Sequence, residues 1–379
     1  MLSKVFFIGF FNPPDDLSKY GSAAGTKVQL EIIRCLEEVH GSVKCIVMRE
    51  VSTWPRNKVF YKSIKMEHVY FPFFINIKFF KILYFSMQIL IKIFKSSPQV
   101  VYQYNSYLSV NLVSFLFKIC GVKTVLVLQD INCTPSFIQS INPLKFRLGE
   151  YLGLILARYA YSVIVPISDA IITDFKLNPN KCIVWRGGII GDAYICKTIT
   201  HKCENKFAVA AGTLNAYNGI FKLVEEWISQ EIPYDLHIFG DGEESAEIKR
   251  IATYSNHIKY HGRVTPNIVS DYLKKSSVNF CLRYSIVIDE RYFFPSKFFD
   301  IFLYSGSVVV NSFYGLPDEA KDTVFIVSDD LSNLNTVINF AVEDNFCNNY
   351  TRRKKIAKSF FLWNKIILSV RDFIEKKSK

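Results

Sequence analysis

The chain has 379 residues, of which 50% are hydrophobic and 21% are charged, a balance that excludes wholesale disorder and allows a large core. At about 150 residues per domain, this length predicts two or three domains. The 46 lysines and arginines exceed the 34 acidic residues and give a net charge of +12. That charge favours anionic partners, which include phosphorylated ligands, acidic lipid headgroups and nucleic acid.

The cysteine pattern and the N-terminus bear on the compartment. The nine cysteines form no Cys-x-x-Cys pair and no tight Cys/His cluster, which favours a reducing cytoplasm over a disulfide framework or a zinc site. Residues 5–11 are mostly apolar, but no small-residue cleavage site follows them, so they predict a buried first strand rather than a signal peptide. No stretch offers the about 20 apolar residues of a membrane-spanning helix.

Short apolar runs alternate with longer amphipathic ones in the first half of the chain. This alternation is typical of a βα-repeating protein with a parallel sheet. A further short strand is expected at residues 181–184. The predicted strands are 4–10, 44–47, 99–102, 124–128 and 162–165, and the predicted helices are 23–38, 75–94, 108–119, 143–156 and 169–175.

A polar, unpatterned segment at 196–205 predicts a linker, after which the alternation restarts. A final helical region is expected from about residue 345 to the end. The predicted strands are 207–211, 236–239, 258–260, 278–282, 308–310 and 324–327, and the predicted helices are 219–229, 244–253, 268–274 and 296–304. The predicted fold class is therefore α/β, with two Rossmann-like, doubly wound domains that face a central cleft.

Three glycine-containing turns are candidate phosphate-binding loops. The first, at 21–27, opens the first predicted helix, where small residues and unpaired N–H groups favour an anion. It lacks both the dinucleotide fingerprint and the nucleoside-triphosphate loop, and a plain loop with a serine cap is the alternative. The turns at 212–219 and 239–243 each join a strand to a helix, and helix capping alone could explain Asp241 and Glu243.

The segment 291–300 is the most informative, because Pro295 and Ser296 open a helix with Lys297 in its first turn. A cation there opposes the helix dipole by a few tenths to about 1 kcal/mol, whereas a bound anion would make the same lysine favourable. Asp300, one turn further on, could accept hydrogen bonds from a ribose diol. The alternative is an exposed Lys–Asp pair worth about 0.2–0.5 kcal/mol.

Taken in order, four motifs resemble the nucleotide-sugar half of retaining family 4 glycosyltransferases, which are GT-B enzymes with two Rossmann-like domains. The motifs are Gly-Thr-Leu-Asn…Asn-Gly from residue 212, Ile-Phe-Gly-Asp-Gly from 238, Tyr-His-Gly-Arg-Val from 260 and Phe-Pro-Ser-Lys-Phe-Phe-Asp…Ser-Gly from 294. The likeness covers about 207–310 closely. It is looser before that, where 21–25 looks like the family's glycine loop and 167–169 like its Val-Ser helix start.

The resemblance implies roles for individual residues. Gly212 and Thr213 would border the donor diphosphate, the backbone at Arg263 and Val264 would meet the base, and Lys297 and Arg283 would contact phosphate. Asp300 would replace the family's ribose-binding glutamate. The family often has Arg and Lys where this chain has Thr213 and Asn218, which leaves more of the phosphate contact to Lys297 and Arg283. The implied donor-binding residues are Gly25, Gly212, Thr213, Asn215, Gly240, Arg263, Val264, Arg283, Ser296, Lys297 and Asp300, and the implied catalytic residues are Asp130, Glu290 and Lys297.

The resemblance also implies domains and an activity. Residues 1–190 would bind the acceptor, 206–350 the nucleotide sugar, and 351–379 would form a helix that packs back on the first domain. The implied reaction is retaining transfer from a nucleotide diphosphate sugar to a lipid-linked polysaccharide of the O-antigen, lipopolysaccharide or capsule type. Because the chain contains no Asp-x-Asp, we expect no metal, and we expect no cofactor besides the donor substrate.

Two other functions stay open at this point. A nucleotide-sugar epimerase or hydrolase could use the same architecture and would need no acceptor. A non-catalytic basic protein that binds nucleic acid would fit the net charge, but no RNA-binding or helix-turn-helix signature supports it, so we expect no nucleic-acid partner.

The segment 71–95 is strongly apolar and aromatic, and its only charges are positive. Such a segment can lie in a membrane interface, where each lysine near anionic lipid contributes about 1 kcal/mol. It favours a cytoplasmic protein that associates peripherally with the inner face of the cell membrane, and the basic run 352–355 could assist. The alternatives are a core helix with solvated lysines at 71–95 and a solvated helix face at 352–355.

Overall fold

The structure is a computed structural model that describes residues 4–13, 22–131, 144–191, 206–286, 289–343 and 346–376. The predicted linker at 196–205 and Gly21 of the first glycine loop lie outside these residues. The chain divides into two compact units. Unit 1 comprises residues 1–190 together with 363–379, and unit 2 comprises residues 191–362.

Fifteen strands are present in the described residues. They are β1 (Val5–Phe10), β2 (Val43–Met48), β3 (Phe60–Tyr61), β4 (Ile64–Met66), β5 (Val69–Phe71), β6 (Phe74–Ile75), β7 (Val100–Tyr104), β8 (Lys123–Leu128), β9 (Val163–Pro166), β10 (Phe207–Ala211), β11 (Asp235–Phe239), β12 (Ile258–Gly262), β13 (Val278–Cys281), β14 (Ser307–Asn311) and β15 (Phe325–Val327).

Thirteen α-helices accompany them in the described residues. They are α1 (Ala23–His40), α2 (Phe80–Ser96), α3 (Leu108–Ile119), α4 (Leu144–Ala160), α5 (Asp169–Asp174), α6 (Ile220–Ser229), α7 (Ser245–Ala252), α8 (Pro266–Lys275), α9 (Lys297–Phe302), α10 (Asp318–Lys321), α11 (Leu334–Glu343), α12 (Phe346–Phe360) and α13 (Trp363–Lys376). None of the helices in the described ranges has the length and apolar character that a membrane crossing requires.

Each unit has a doubly wound sheet. In unit 1 the order is β4-β5-β2-β1-β7-β8-β9, parallel except that β4 runs antiparallel to β5, and β3 and β6 form a separate antiparallel pair. In unit 2 the order is β12-β11-β10-β13-β14-β15, and the strands run parallel. The winding reverses between β1 and β7 and between β10 and β13, so the predicted α/β class with two Rossmann-like units is confirmed.

Layers of helices bury both faces of the unit 1 sheet, which explains why β1 is apolar along its whole length. On one face, Phe7 and its neighbours pack with residues of α1 and with Trp363 of α13. On the other, Phe6 and Ile8 pack with Phe85 of α2 and with residues of α3. In unit 2, β10, β11 and β13 pack mainly against α6, α7 and α11.

The end of the chain differs from its prediction as one helical region. Helix α12 ends at Phe360 and belongs to unit 2, whereas α13 begins at Trp363 and belongs to unit 1. Phe361, between them, is buried with its ring centroid 5.3 Å from that of Phe299 and 5.4 Å from that of Phe302. These contacts lie at the break between the two helices, and the amphipathic pattern alone could not reveal them.

The basic run 352–355 is not the uniform solvated face that was one of its two sequence interpretations, because one of its four cations is buried. Arg353 is 1% exposed, and its Nη2 donates to the carbonyl oxygens of Tyr304 (3.1 Å), Ser305 (3.3 Å) and Gly306 (2.9 Å). These carbonyls follow α9. A buried guanidinium therefore fixes the chain just beyond the helix that carries Lys297.

Smaller differences concern short elements. The helix predicted at 75–94 begins only at Phe80, because residues 74–75 pair with residues 60–61 as β6 and β3. The strand predicted at 181–184 is a single bridge from Cys182 to Ile164 after a short 3₁₀ turn. Helices α10 and α11 were not predicted.

Candidate functional site

Lys297 reaches across unit 2 to the carboxyl end of β10, the central strand at which the sheet reverses its winding. As the first residue of α9, it donates from Nζ to the carbonyl oxygen of Ala211, the last residue of β10. Gly212 follows with φ +155°, and a Cβ there would overlap the ammonium of Lys297. Glycine at 212 is therefore what allows the cation to lie directly against the backbone.

The ammonium is in an unfavourable setting for a charge. Burial lowers the pKa of Lys297 to about 8, and the nearby charge of Arg283 acts in the same direction. An anion bound beside the ammonium would reverse both effects, because it favours the protonated form. A cation held in this way is suited to a negatively charged ligand.

Arg283 lies just beyond β13, the strand next to β10. Asn311 fixes its backbone: the N–H of Arg283 donates to Asn311 Oδ1 (2.8 Å), and Asn311 Nδ2 donates to the carbonyl of Arg283 (2.7 Å). Its Nη1 donates to Asn218 Oδ1 at 3.2 Å, and its Cζ lies 5.1 Å from the centroid of the Tyr217 ring. Its Nε is buried without a hydrogen-bond partner among the described residues, and burial lowers the pKa of the guanidinium.

Two asparagine side chains form hydrogen bonds within the loop that joins β10 to α6. Asn218 Nδ2 donates to the carbonyl of Thr213 (2.8 Å), and the N–H of Asn218 lies 3.2 Å from Asn215 Oδ1. Asn218 thus ties Thr213 to Arg283. Asn218 was expected only as a departure from the family pattern, although an amide within the candidate phosphate-binding turn at 212–219 was a signal for such a bridge.

A second glycine keeps the carboxyl ends of β10 and β11 close together. Gly240 has φ +136°, and a Cβ there would overlap the carbonyl oxygen of Gly212. The N–H of Gly212 donates to Phe239 O, and the N–H of Gly240 donates to Gly262 O, both at 2.8 Å. The predicted residues Gly212, Thr213, Asn215, Gly240, Arg283 and Lys297 therefore meet at one edge of the unit 2 sheet.

The other predicted residues of unit 2 lie around this edge. Ser296 and Asp300 are exposed at the start and in the first turn of α9, and Ser296 makes no capping hydrogen bond with its side chain in the described part of the chain. Arg263 is exposed after β12, and Val264 is half-buried. Burial raises the pKa of Glu290, whose carboxylate accepts a hydrogen bond from the backbone N–H of Tyr314.

In unit 1, Asp130 follows β8 and Gly25 lies in the first turn of α1. Asn105, with φ +55°, joins the ends of β7 and β8: its Nδ2 donates to Asp130 Oδ2 (3.0 Å), and its Oδ1 accepts from the N–H of Asp130 (3.2 Å). Burial raises the pKa of Asp130, and the Asn105 hydrogen bond opposes this. The N–H of Gly25 donates to Ser22 Oγ (3.0 Å), which is the serine cap that the sequence also allowed.

A carboxylate that the sequence analysis missed belongs to the same edge of unit 1. Burial raises the pKa of Glu50, which follows β2, and the charge of Asp130 acts in the same direction. Glu50 Oε2 accepts from the N–H of Ser22 at 3.4 Å, and the carbonyl of Glu50 accepts from Asn12 Nδ2 at 2.9 Å. Its position directly after a buried parallel strand was the available signal. Within the described ranges, no three His, Cys, Asp or Glu side chains converge as metal ligands would.

Comparison with solved structures gives matches over almost the whole chain. HepE from Anabaena in complex with UDP superimposes with a TM-score of 0.65 at 16% identity, covering 98% of this chain and 100% of that one. The α,α-trehalose 6-phosphate synthase of Burkholderia multivorans gives 0.62 at 11% identity, covering 100% and 98%. The catalytic domain of Arabidopsis thaliana starch synthase IV, bound to ADP and acarbose, gives 0.60 at 10% identity, covering 99% of each chain.

The fold is GT-B. These neighbours are GT-B glycosyltransferases with two Rossmann-like domains, which is the architecture that the sequence predicted. No family model matches the chain, and no curated protein matches it by sequence. At these identities the solved structures establish the GT-B fold of the chain alone.

Proposed function

We propose that this GT-B protein is a retaining glycosyltransferase that uses a nucleotide diphosphate sugar as donor. The observation that carries the proposal is the half-buried side chain of Lys297, whose ammonium lies against Gly212 and near Arg283 at the carboxyl ends of β10 and β13. Open α/β sheets bind their ligands at such reversal points. Among the described residues neither cation forms an ion pair with a carboxylate, so the two fit a diphosphate better than a neutral ligand.

The chemistry of the reaction explains why this arrangement would be useful. Breaking the bond between the sugar and the diphosphate leaves positive character on the sugar and negative charge on the departing group. Hydrogen-bond donors and cations that are already in place around that charge usually make the largest single contribution to such catalysis. We propose that Lys297 and Arg283 supply them without a metal ion and without a further cofactor.

The remaining site residues receive roles by the same proposal. Thr213, Asn215 and the backbone beside Gly240 would line the diphosphate, Arg263 and Val264 would meet the base, and Asp300 would hold the ribose. The residues of unit 1 that end its strands, Asp130 with Glu50, would orient the acceptor. The oxygens of both carboxyl groups can accept hydrogen bonds from sugar hydroxyls.

We further propose an acceptor on a lipid carrier, of the surface-polysaccharide (O-antigen or capsule) type, with the enzyme peripheral at the cytoplasmic face of the membrane. The support is the apolar segment 71–95, whose only charges are lysines. An enzyme that resides at the bilayer would meet such an acceptor directly.

A panel of nucleotide diphosphate sugars tests the donor assignment by thermal shift. A ligand at about 100 times its Kd adds about 2.7 kcal/mol of stability, which raises Tm by several degrees. The stabilising donor is then incubated with and without lipid-linked oligosaccharide, and transfer is measured. Conversion of the sugar in the absence of acceptor would instead identify an epimerase or hydrolase, and a panel without any shift would contradict the nucleotide-sugar site.

Donor affinity should fall as the pH rises above about 8. The free protein releases the Lys297 proton near that pH, whereas the bound diphosphate holds it, so binding above pH 8 requires proton uptake. We expect Kd to rise by up to about tenfold per pH unit between about pH 8 and 9.5 and to change little between about pH 7 and 8. Calorimetric titration of the nucleotide sugar measures Kd at each pH. The Lys297→Met variant should bind more weakly at every pH and should lack this rise of Kd above pH 8.

A further inference from the structure

Three neighbouring helices of unit 1 expose apolar side chains. On α2, α3 and the described side chains of α4 (148–160), every exposed residue but one is apolar or aromatic. The exception is Lys95. We call the following set the apolar face: Phe80, Leu83, Met87, Ile91 and Phe94 on α2, Leu112, Leu116 and Ile119 on α3, and Leu148, Tyr151, Leu152 and Tyr159 on α4.

The α2 part of this face is a continuous stripe. From Phe80 to Phe94 its residues are spaced three or four apart, which places them on one side of the helix. The side chains of Phe85, Ile89 and Ile93 point the opposite way, into the core of unit 1. The stripe is about 21 Å long at 1.5 Å per residue.

The three helices lie side by side, so their exposed apolar residues form one surface. Ser86 on α2 donates to Ser109 on α3 (2.9 Å between hydroxyl oxygens), and Asn111 Nδ2 on α3 donates to the carbonyl of Gly153 on α4 (2.8 Å). With helix axes about 8–10 Å apart, the face covers roughly 400 Å². Apolar patches of this size on a protein surface are often functional.

Helix α13 shows that such exposure is not general in this protein. It covers the opposite face of the same sheet, and Trp363 and Val370 enter the core. Its exposed residues in the described range are all polar: Lys365, Ser369, Asp372, Glu375 and Lys376. The two sides of unit 1 therefore expose residues of different polarity.

The charge around the α2 and α3 part of the apolar face has one sign, whereas α4 carries the half-buried Glu150. No acidic residue occurs between Glu67 and Asp130, a segment that contains six lysines. Lys78 and Lys95 are exposed at the two ends of the α2 stripe. Packing of this face on a second copy would bring lysines against lysines, whereas an anionic lipid surface complements both the apolar side chains and the cations.

We propose that the apolar face of α2, α3 and α4 docks unit 1 onto an anionic lipid bilayer. The apolar side chains enter the boundary between headgroups and acyl chains, and Lys78 and Lys95 lie at the lipid phosphates. The docking surface thus extends well beyond the segment 71–95. Its test is a binding measurement that requires no catalytic activity, so it does not depend on the proposed donor.

Cosedimentation of the full chain with vesicles tests this surface. We expect binding to vesicles that contain phosphatidylglycerol, and at least about tenfold weaker partitioning of Leu112→Glu/Leu116→Glu, because glutamates replace two inserted side chains and repel the lipid charge. Leu30→Glu is the matched control: Leu30 is 45% exposed and Leu116 is 47% exposed, but Leu30 lies on α1 across the sheet. It should bind like the unchanged protein.

The lysines have their own test. Lys78→Gln/Lys95→Gln should weaken binding to the anionic vesicles by about fivefold per lysine and leave binding to pure phosphatidylcholine unchanged. Unchanged sedimentation of Leu112→Glu/Leu116→Glu would overturn the proposal. So would a dimer of the unchanged protein, by light scattering, that this variant splits, because the face would then be a subunit interface.

Thermal shift with the nucleotide sugar, run on the same samples, separates the outcomes. A variant that retains the Tm and the ligand shift of the unchanged protein is folded, so its loss of sedimentation reports the surface alone. Loss of the ligand shift in all proteins, with sedimentation intact, would contradict the proposed donor and leave the docking surface standing.

Discussion

Replacing Lys297 with alanine should lower turnover by about 10²–10³, equivalent to about 2.7–4 kcal/mol, because the variant loses a cation placed for the departing diphosphate. The Tm of the free protein should change little. Holding the ammonium where its pKa is only about 8 costs free energy, and this offsets the hydrogen bond to the carbonyl of Ala211. Steady-state kinetics and thermal denaturation of the same preparation measure both quantities.

The sign of that cost follows from the two protonation states. The unfolded chain binds the Lys297 proton up to about pH 10.4, and the folded protein only up to about pH 8, so the cost is present in full below pH 8 and disappears above pH 10.4. Lys274→Ala removes an exposed lysine of α8 in the same unit and serves as the control. Turnover of Lys297→Ala within a fewfold of the control would remove Lys297 from the proposed mechanism.

Replacing Arg353 with methionine should destabilise unit 2 by about 3 kcal/mol or more. Methionine fills part of the space but leaves the carbonyls of residues 304–306 without their charged donor, and a buried group that loses its partner costs about 1–3 kcal/mol. In a unit of this size the Tm should fall by roughly 6–12 °C. Donor affinity should fall as well, because Arg353 holds the chain that leaves α9.

Arg352→Met is the matched control for this experiment. Arg352 precedes Arg353 on α12 but is exposed, and its Nη1 lies 3.4 Å from the carbonyl of Asp322. We expect its replacement to change stability by no more than about 0.5 kcal/mol. Equal stability of the two variants in calorimetry would show that the buried guanidinium does not hold α9.

The alternation of strands and helices was predictable because each element encodes it locally. The strand at 207–211 and the helix at 108–119 have their predicted bounds, since buried apolar runs and amphipathic repeats need no knowledge of distant residues. Helix α2 is the instructive exception. It is apolar around most of its circumference, a pattern that also fits a fully buried helix, so the sequence could not show which side faces outward.

Parts of the candidate site were predictable for a similar reason. Gly212, Arg283 and Lys297 each follow or open an element at a recognisable turn, and Gly212 and Lys297 belong to two of the four motifs whose order carried the resemblance. Asn218, Glu50 and Arg353 act through contacts with residues far away in the sequence. The basic run 352–355 illustrates the limit, because four adjacent cations look equivalent until one of them is found buried under three carbonyls.

The return of α13 to unit 1 has a consequence for the order in which the protein is made. Trp363, Ile366 and Val370 complete the core that β1 and α1 begin more than 300 residues earlier. During synthesis, unit 2 can therefore fold as soon as residue 362 has left the ribosome, whereas unit 1 cannot complete its core until α13 has been made. Unit 1 is translated first but completed last. Until α13 has been made, the apolar side chains that it covers on the unit 1 sheet stay exposed.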